Sequence, residues 1–426
     1  MVFCFLALRV ISERSTPLVY FDSGEYRHIH LWGGRRPATI PLLFSLMPSD
    51  ALRIVEQATI SVAAWITLAL VVASILDDRR LRLASIASFL ALGLTTQITN
   101  WDTAILSDSI SISLTVFLVA AWIAVYRSPT KWTVTGVLVA TTLWTFAREL
   151  HVYVTAAIAL VVVVAVLVRR ARAPWRVVAA GLVLIGVLGV MDRRANDETA
   201  KENLAGVIGA RVLPDHATRQ WFVDHGMPEM GQLADGQAHP DKELLAIPEF
   251  ERWAGQRGWV VYAEFLATHP SAAIDGPMNE LLEERQTFAE NPPGRAVLLS
   301  PAEAYGRARP VLPSLVEDVL FDPGRTGAVV ALAVLALAAC LMVSARGGPD
   351  RRRHIPLIVA GLSVVYVFAA WHGSVFEPGR HSMPAAVAIR VALITLLAVV
   401  ADAALAEAAL DDSDLDSDRS ELEDSR

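Results

Sequence analysis

ILSDSISISLTVFLVAAWIAVY, residues 105–126, is the stretch that decides the fold. At a rise of about 1.5 Å per residue, a helix of this length crosses a hydrocarbon layer of about 30 Å. It carries one acid, Asp108, near its head, and Arg127 and Lys131 follow its end. Stretches of the same kind recur at 59–76, 83–98, 132–146, 152–168, 177–191, 326–344, 355–371 and 383–405. The N-terminal run Met1–Ile11 is too short to span alone. No basic residue precedes it and no small-residue cleavage site follows, so it reads as part of a first helix whose true start lies upstream. Together these predict an α-helical polytopic membrane protein with about ten transmembrane helices.

Composition agrees. Of the 426 residues 54% are hydrophobic and only 19% charged, which excludes an ordinary soluble domain. Cys4 and Cys340 both lie in apolar segments, so no disulfide framework is implied. The net charge of −7 is dominated by the tail after Asp411, whose composition predicts a solvated, disordered segment. The arginine clusters are topology signals, and no nucleic-acid partner is expected.

Basic clusters fall at alternate loops: Arg79, Arg80 and Arg82; Arg127 and Lys131; Arg169, Arg170, Arg172 and Arg176; Arg346 and Arg351–Arg353. The positive-inside rule assigns these to the cytoplasm. The first loop, the turns near Asn100 and Arg148, segment 192–325 and the turn 372–382 then face outward. Four regions follow: an N-terminal transmembrane module over 1–191, a small, mainly helical extracytoplasmic insert over 192–325, C-terminal transmembrane helices over 326–405, and a disordered acidic cytoplasmic tail over 406–426. The expected location is a plasma membrane of prokaryotic type, with a site facing outside.

The polar residues are distributed unevenly. The inward ends carry plain arginine clusters, whereas the outward ends mix acids and bases. Ionisable groups at the hydrocarbon boundary are costly and call for a reason. The first loop holds Tyr20-Phe21-Asp22-Ser23-Gly24-Glu25-Tyr26, then Arg35 and Arg36. Asp22 is the candidate base, and Glu25 is a supporting acid or metal ligand, the alternative being a solvated loop end. Arg35 and Arg36 suit a phosphate or, equally, snorkel to lipid headgroups. Asp102 and Asp108 are further supporting acids or metal ligands, although an acid in a first helical turn also complements the helix dipole. Arg148 either binds an anionic substrate or pairs internally with Glu149. Glu377 and Arg380, on a turn of about ten residues between two spans, join Tyr26 as substrate- and phosphate-binding candidates. His28, His30 and His381 lack metal-ligand spacing.

These residues make the chain resemble the GT-C superfamily of membrane glycosyltransferases, the group of protein O-mannosyltransferases and aminoarabinose transferases. The resemblance rests on Asp22-Ser23-Gly24-Glu25-Tyr26 after a first helix, Gly33-Gly34-Arg35-Arg36-Pro37 leading to Phe44, Leu106-Ser107-Asp108-Ser109 heading a later span, a soluble insert after the seventh span, and the late Arg380. The chain departs in its short first helix and in the D-x-x-E spacing, where many relatives have adjacent acids; this leaves the role of Glu25 open. The resemblance implies inverting transfer of a sugar from a polyprenyl-phosphate donor to an acceptor glycan, lipid or protein in the cell envelope, with a divalent metal ion as an optional cofactor. Two other classes stay open: a transporter or flippase of lipid-linked or anionic substrates, which favours interrupted helices and repeated halves, and a structural or assembly protein. No internal repeat is evident.

Overall fold

The computed structural model describes residues 1–13, 16–20, 22–29, 32–168, 173–195, 198–230, 240–282, 308–321, 352, 354–373, 375 and 378–424. The fold is helical, and among the described residues the only extended pairing is an isolated parallel bridge between Leu18 and Ala104.

Six helices are long and apolar enough to cross a membrane: α3 (Asp50–Ala73), α6 (Asp108–Arg127), α8 (Glu149–Val168), α9 (Ala173–Ala195), α17 (His354–Gly373) and α18 (Pro378–Asp424, apolar over Arg380–Ala406). Helices α4 (Arg79–Gly93) and α5 (Thr96–Asp102) make a seventh if counted as one span, but they meet at 53°. The expectation of ten therefore becomes six or seven among the described residues. The reasons are length and a bend. Val2–Ser12 (α1), the run already read as too short to span alone, has 11 residues, and Lys131–Thr145 (α7) has 15, below the length of a full crossing; a seven-residue helix, Thr39–Ser45 (α2), follows the first loop. The expected span at 326–344 lies outside the described residues.

Side-chain contacts sort the helix ends into two layers. At one end, Arg127 reaches the Ser74 hydroxyl, Tyr126 meets His354, and Asp402 accepts the backbone N–H of Asp77 and Asp78 while pairing with Arg352. At the other end lie the first loop, the heads of α6, α8 and α18, and the end of α9, where Asp192 accepts from the Gly33 N–H. Helix α7 links the two layers even though it is short. The basic loops and the acid-rich turns thus lie at opposite ends, as their alternation predicts.

Local chemistry fixes the elements. Asp78 caps α4 by accepting from the N–H of Arg80 and Leu81, and Thr130 and Thr133 form a reciprocal capping box on α7. Helices α3 and α4 approach closely because Gly93 lacks a side chain: a Cβ there would lie 2.6 Å from the buried Trp65 ring. Residues 198–282 carry their own core, centred on Leu204, Phe222, Phe250, Tyr262 and Phe265. Its helices are α10 (Glu198–Val207), α11 (His216–Asp224), α12 (Pro240–Leu245), α13 (Pro248–Trp253), α14 (Trp259–Thr268) and α15 (Pro270–Leu282). A last short helix, α16 (Ser314–Phe321), caps α5, with Glu317 accepting from the Thr96 N–H and hydroxyl. Helix α18 runs to Asp424, through the segment read as disordered; Glu407, Ala408, Ala409 and Leu410 favour its continuation, whereas the Asp and Ser that dominate 411–424 are weak helix formers.

Candidate functional site

The first loop is built to present Asp22. Main-chain bonds from Ser23 N to Tyr20 O and from Glu25 N to Asp22 O close a tight turn, and the Ser23 hydroxyl accepts from the Tyr20 N–H. The turn is registered against the stretch before α6: Leu18 N donates to Thr103 O, and Ile105 N donates to Leu18 O. Gln57 of α3 supports the same stretch by donating to the carbonyls of Asp102 and Ala104.

From this scaffold an alternating chain of charge assembles. Arg380, at the head of α18, donates from Nε to Asp108 Oδ2 at 3.0 Å and from Nη2 to Asp22 Oδ2 at 3.2 Å. Arg148 pairs with the other oxygen of Asp108 at 2.9 Å. Arg36 lies 3.4 Å from Asp22, 2.6 Å from Glu25 and 3.5 Å from Glu149. Asp22, Asp108, Arg148 and Arg380 are all buried. Tyr26 is buried beneath them, its hydroxyl 3.2 Å from Ser107 Oγ and the Arg36 guanidinium 5.1 Å from its ring centre.

Electrostatics follow from this geometry. Burial alone would lower the Arg36 pKa, but Tyr26, Glu149, Glu25 and Asp22 outweigh it and hold the guanidinium more firmly protonated than usual. The Tyr26 phenol is pushed up by burial, with Arg36 and Arg380 opposing. Four carboxylates (Asp22, Glu25, Asp108, Glu149) here face four guanidinium groups (Arg36, Arg148, Arg380 and, at the rim, Arg35).

Seven sequence candidates thus meet in one place: Asp22, Glu25, Tyr26, Arg36, Asp108, Arg148 and Arg380. Arg35 stands at the rim, nearly half exposed, and reaches Glu25 and Glu202 of α10. Asp102 belongs elsewhere. It pairs with Arg9 of α1 and accepts from the Ser109 hydroxyl, and Arg9 also bonds the Gly93 carbonyl, Ser61 and Glu13. Glu377 lies outside the described residues. Arg148 takes Asp108 as its partner, and Glu149 takes Arg36, so the internal Arg148–Glu149 pair is absent.

The sequence reading passed over Arg9, for which a lone arginine in an apolar run was a signal, and took Glu149 only as a partner for Arg148. It placed His151 in the same turn without a role; His151 stacks on Trp144 and meets the hydroxyls of Tyr366 and Ser111 under the site. For a metal the fit is poor. The acids are taken up by arginines, and among the described residues no three His, Cys, Asp or Glu side chains converge to hold an ion. No protein-family model matches the chain, and the search of curated proteins gave no match.

Proposed function

We propose that the protein is a membrane glycosyltransferase that moves a sugar from a polyprenyl-phosphate donor to an acceptor hydroxyl or amine, with inversion, on the outer face of a plasma membrane. The observation that carries this reading is Arg380, buried at a helix end and shared between Asp22 and Asp108. Acid–base groups and fixed positive charge sit together there, at the heads of three helices, α6, α8 and α18, that are long and apolar enough to cross a membrane. In the proposed step Asp22 takes the acceptor's proton as the acceptor attacks the anomeric carbon. The bond from that carbon to the phosphate oxygen breaks, and the electron pair leaves on the phosphate. Arg380, Arg148 and Arg36 neutralise the departing charge. No step is routed through a metal.

The test is incubation of purified protein with radiolabelled polyprenyl-phosphate sugars and membrane acceptors, wild type beside Asp22→Asn. Label passes to acceptor with wild type and not with the variant; no transfer by wild type, or equal transfer by both, sinks the reading.

A transporter of lipid-linked anions is the second reading, favoured by the 53° break between α4 and α5. It predicts movement of labelled substrate across proteoliposomes without a new glycosidic bond.

A further inference from the structure

The two acids on Arg380 are held very differently. Asp108 has a guanidinium on each oxygen, at 2.9 and 3.0 Å, and is fully enclosed. Asp22 is 3% exposed, yet both of its ion pairs, at 3.2 and 3.4 Å, fall on Oδ2. Its Oδ1 is buried and has no hydrogen-bond partner among the described residues. A buried carboxylate oxygen without a donor is costly, so of the two acids on Arg380 it is Asp22 that is cheaper to move. The turn carrying it is closed by main-chain bonds and Ser23, none of which uses the Asp22 carboxylate.

The charge count points the same way. With four carboxylates facing four guanidinium groups once Arg35 on Glu25 is counted, the cluster as it stands offers an anion no net attraction. An anion gains Arg380 and Arg36 only if an acid gives them up.

We propose that Asp22 occupies the anion site of the resting protein, and that a phosphate ester of a lipid, with or without a sugar on its phosphate, enters by exchange, displacing Asp22 from Arg380 and Arg36 while Asp108 stays to hold Arg380 and Arg148. The inference rests on the reading of this site as a phosphate site, but it does not require sugar transfer. Where transfer occurs, exchange orders the reaction: the phosphate-bearing donor must bind before Asp22 is released to meet the acceptor.

The test is titration calorimetry of the detergent-solubilised full chain with farnesyl phosphate and, separately, with inorganic phosphate. Asp22→Asn keeps the shape and removes the competing charge, so it binds about tenfold tighter or better than wild type. Asp108→Asn loosens Arg380 and Arg148 and binds more weakly. Asp22→Ser, which must show the same sign as Asp22→Asn, covers the case in which that variant fails to fold. Tightening for farnesyl phosphate alone assigns the site to a lipid phosphate; tightening for both ligands shows that the phosphate group suffices. Unchanged or weaker binding in the Asp22 variants overturns the exchange, as does equal tightening in Asp108→Asn. Tighter binding by Asp22→Asn in a protein whose wild type transfers no sugar leaves the exchange standing and removes the transferase reading.

Discussion

Arg380 joins Asp22 of the first loop and Asp108 at the head of α6 through two different nitrogens of one guanidinium. The planar fork suits two acceptors at once, which a lysine ammonium cannot reproduce with the same geometry. Arg380→Ala leaves two buried carboxylates short of charge and costs about 3–5 kcal/mol of stability. Arg380→Lys restores part of that stability and little of any transfer. Combining Arg380→Ala with Asp108→Asn recovers stability, because fewer uncompensated charges remain. Thermal unfolding in detergent, followed by tryptophan fluorescence, measures all three.

Asp102 is expected to behave as a structural acid, separate from the site. Arg9→Met alone strands it in the interior and lowers stability by about 3–5 kcal/mol. Arg9→Met with Asp102→Asn recovers much of the loss, and phosphate binding per folded molecule stays near wild type in the double variant. Loss of phosphate binding in that variant, with the melting temperature restored, would place Asp102 back among the site residues.

The approach of α3 to α4 depends on the missing side chain at Gly93. Gly93→Ala brings a Cβ to 2.6 Å from the Trp65 ring and destabilises the protein by about 1–3 kcal/mol. A second change, Trp65→Leu, opens space for the methyl group, so the two penalties are less than additive in a double-mutant cycle of unfolding temperatures.

Tyr262 gives the insert a dependence on alkaline pH. Its hydroxyl lies 3.0 Å from His372 Nδ1 at the end of α17. Burial pushes its pKa up to about 12, against an opposing effect of Arg211. The folded state therefore keeps a proton that the unfolded state loses near pH 10. Stability is full below about pH 10 and falls as pH rises from there through about 12. Absorbance at the tyrosinate band, with Tyr262→Phe as control, locates the late step; a phenol that ionises near pH 10 with the protein intact removes this contact from the account.

The grouping of Asp22, Asp108, Arg148 and Arg380 at one end of the helices was legible because Asp108, Arg148 and Arg380 lie within a few residues of a span end and Asp22 sits in the loop between α1 and α3; span ends are set by hydrophobicity. Their common layer follows from counting crossings. The pairing inside that layer was not legible. Nothing in the local sequence distinguishes Asp108, held by two arginines, from Asp102, held by Arg9 across 93 positions of chain. The count of ten is not reached among the described residues for a related reason: an apolar run in the sequence does not show where a helix stops, as α7 does at 15 residues, or where it bends, as α4 does against α5, in contrast to the full crossing α6.

The bridge between Leu18 and Ala104 has a consequence for which changes the site tolerates. Asp22 stands four positions after one bridge residue and Asp108 four positions after the other. The two carboxylates are thus placed by chain length measured from a common tie point, and the tie is made of main-chain groups. Exchanging Leu18 for another side chain preserves it, whereas Ala104 is fully buried and tolerates only a small one. Proline at 18 or 105 removes a donor and breaks it. A single glycine inserted between 18 and 22, or between 104 and 108, changes no charge in the site, yet it carries one acid out of reach of the guanidinium that both must share.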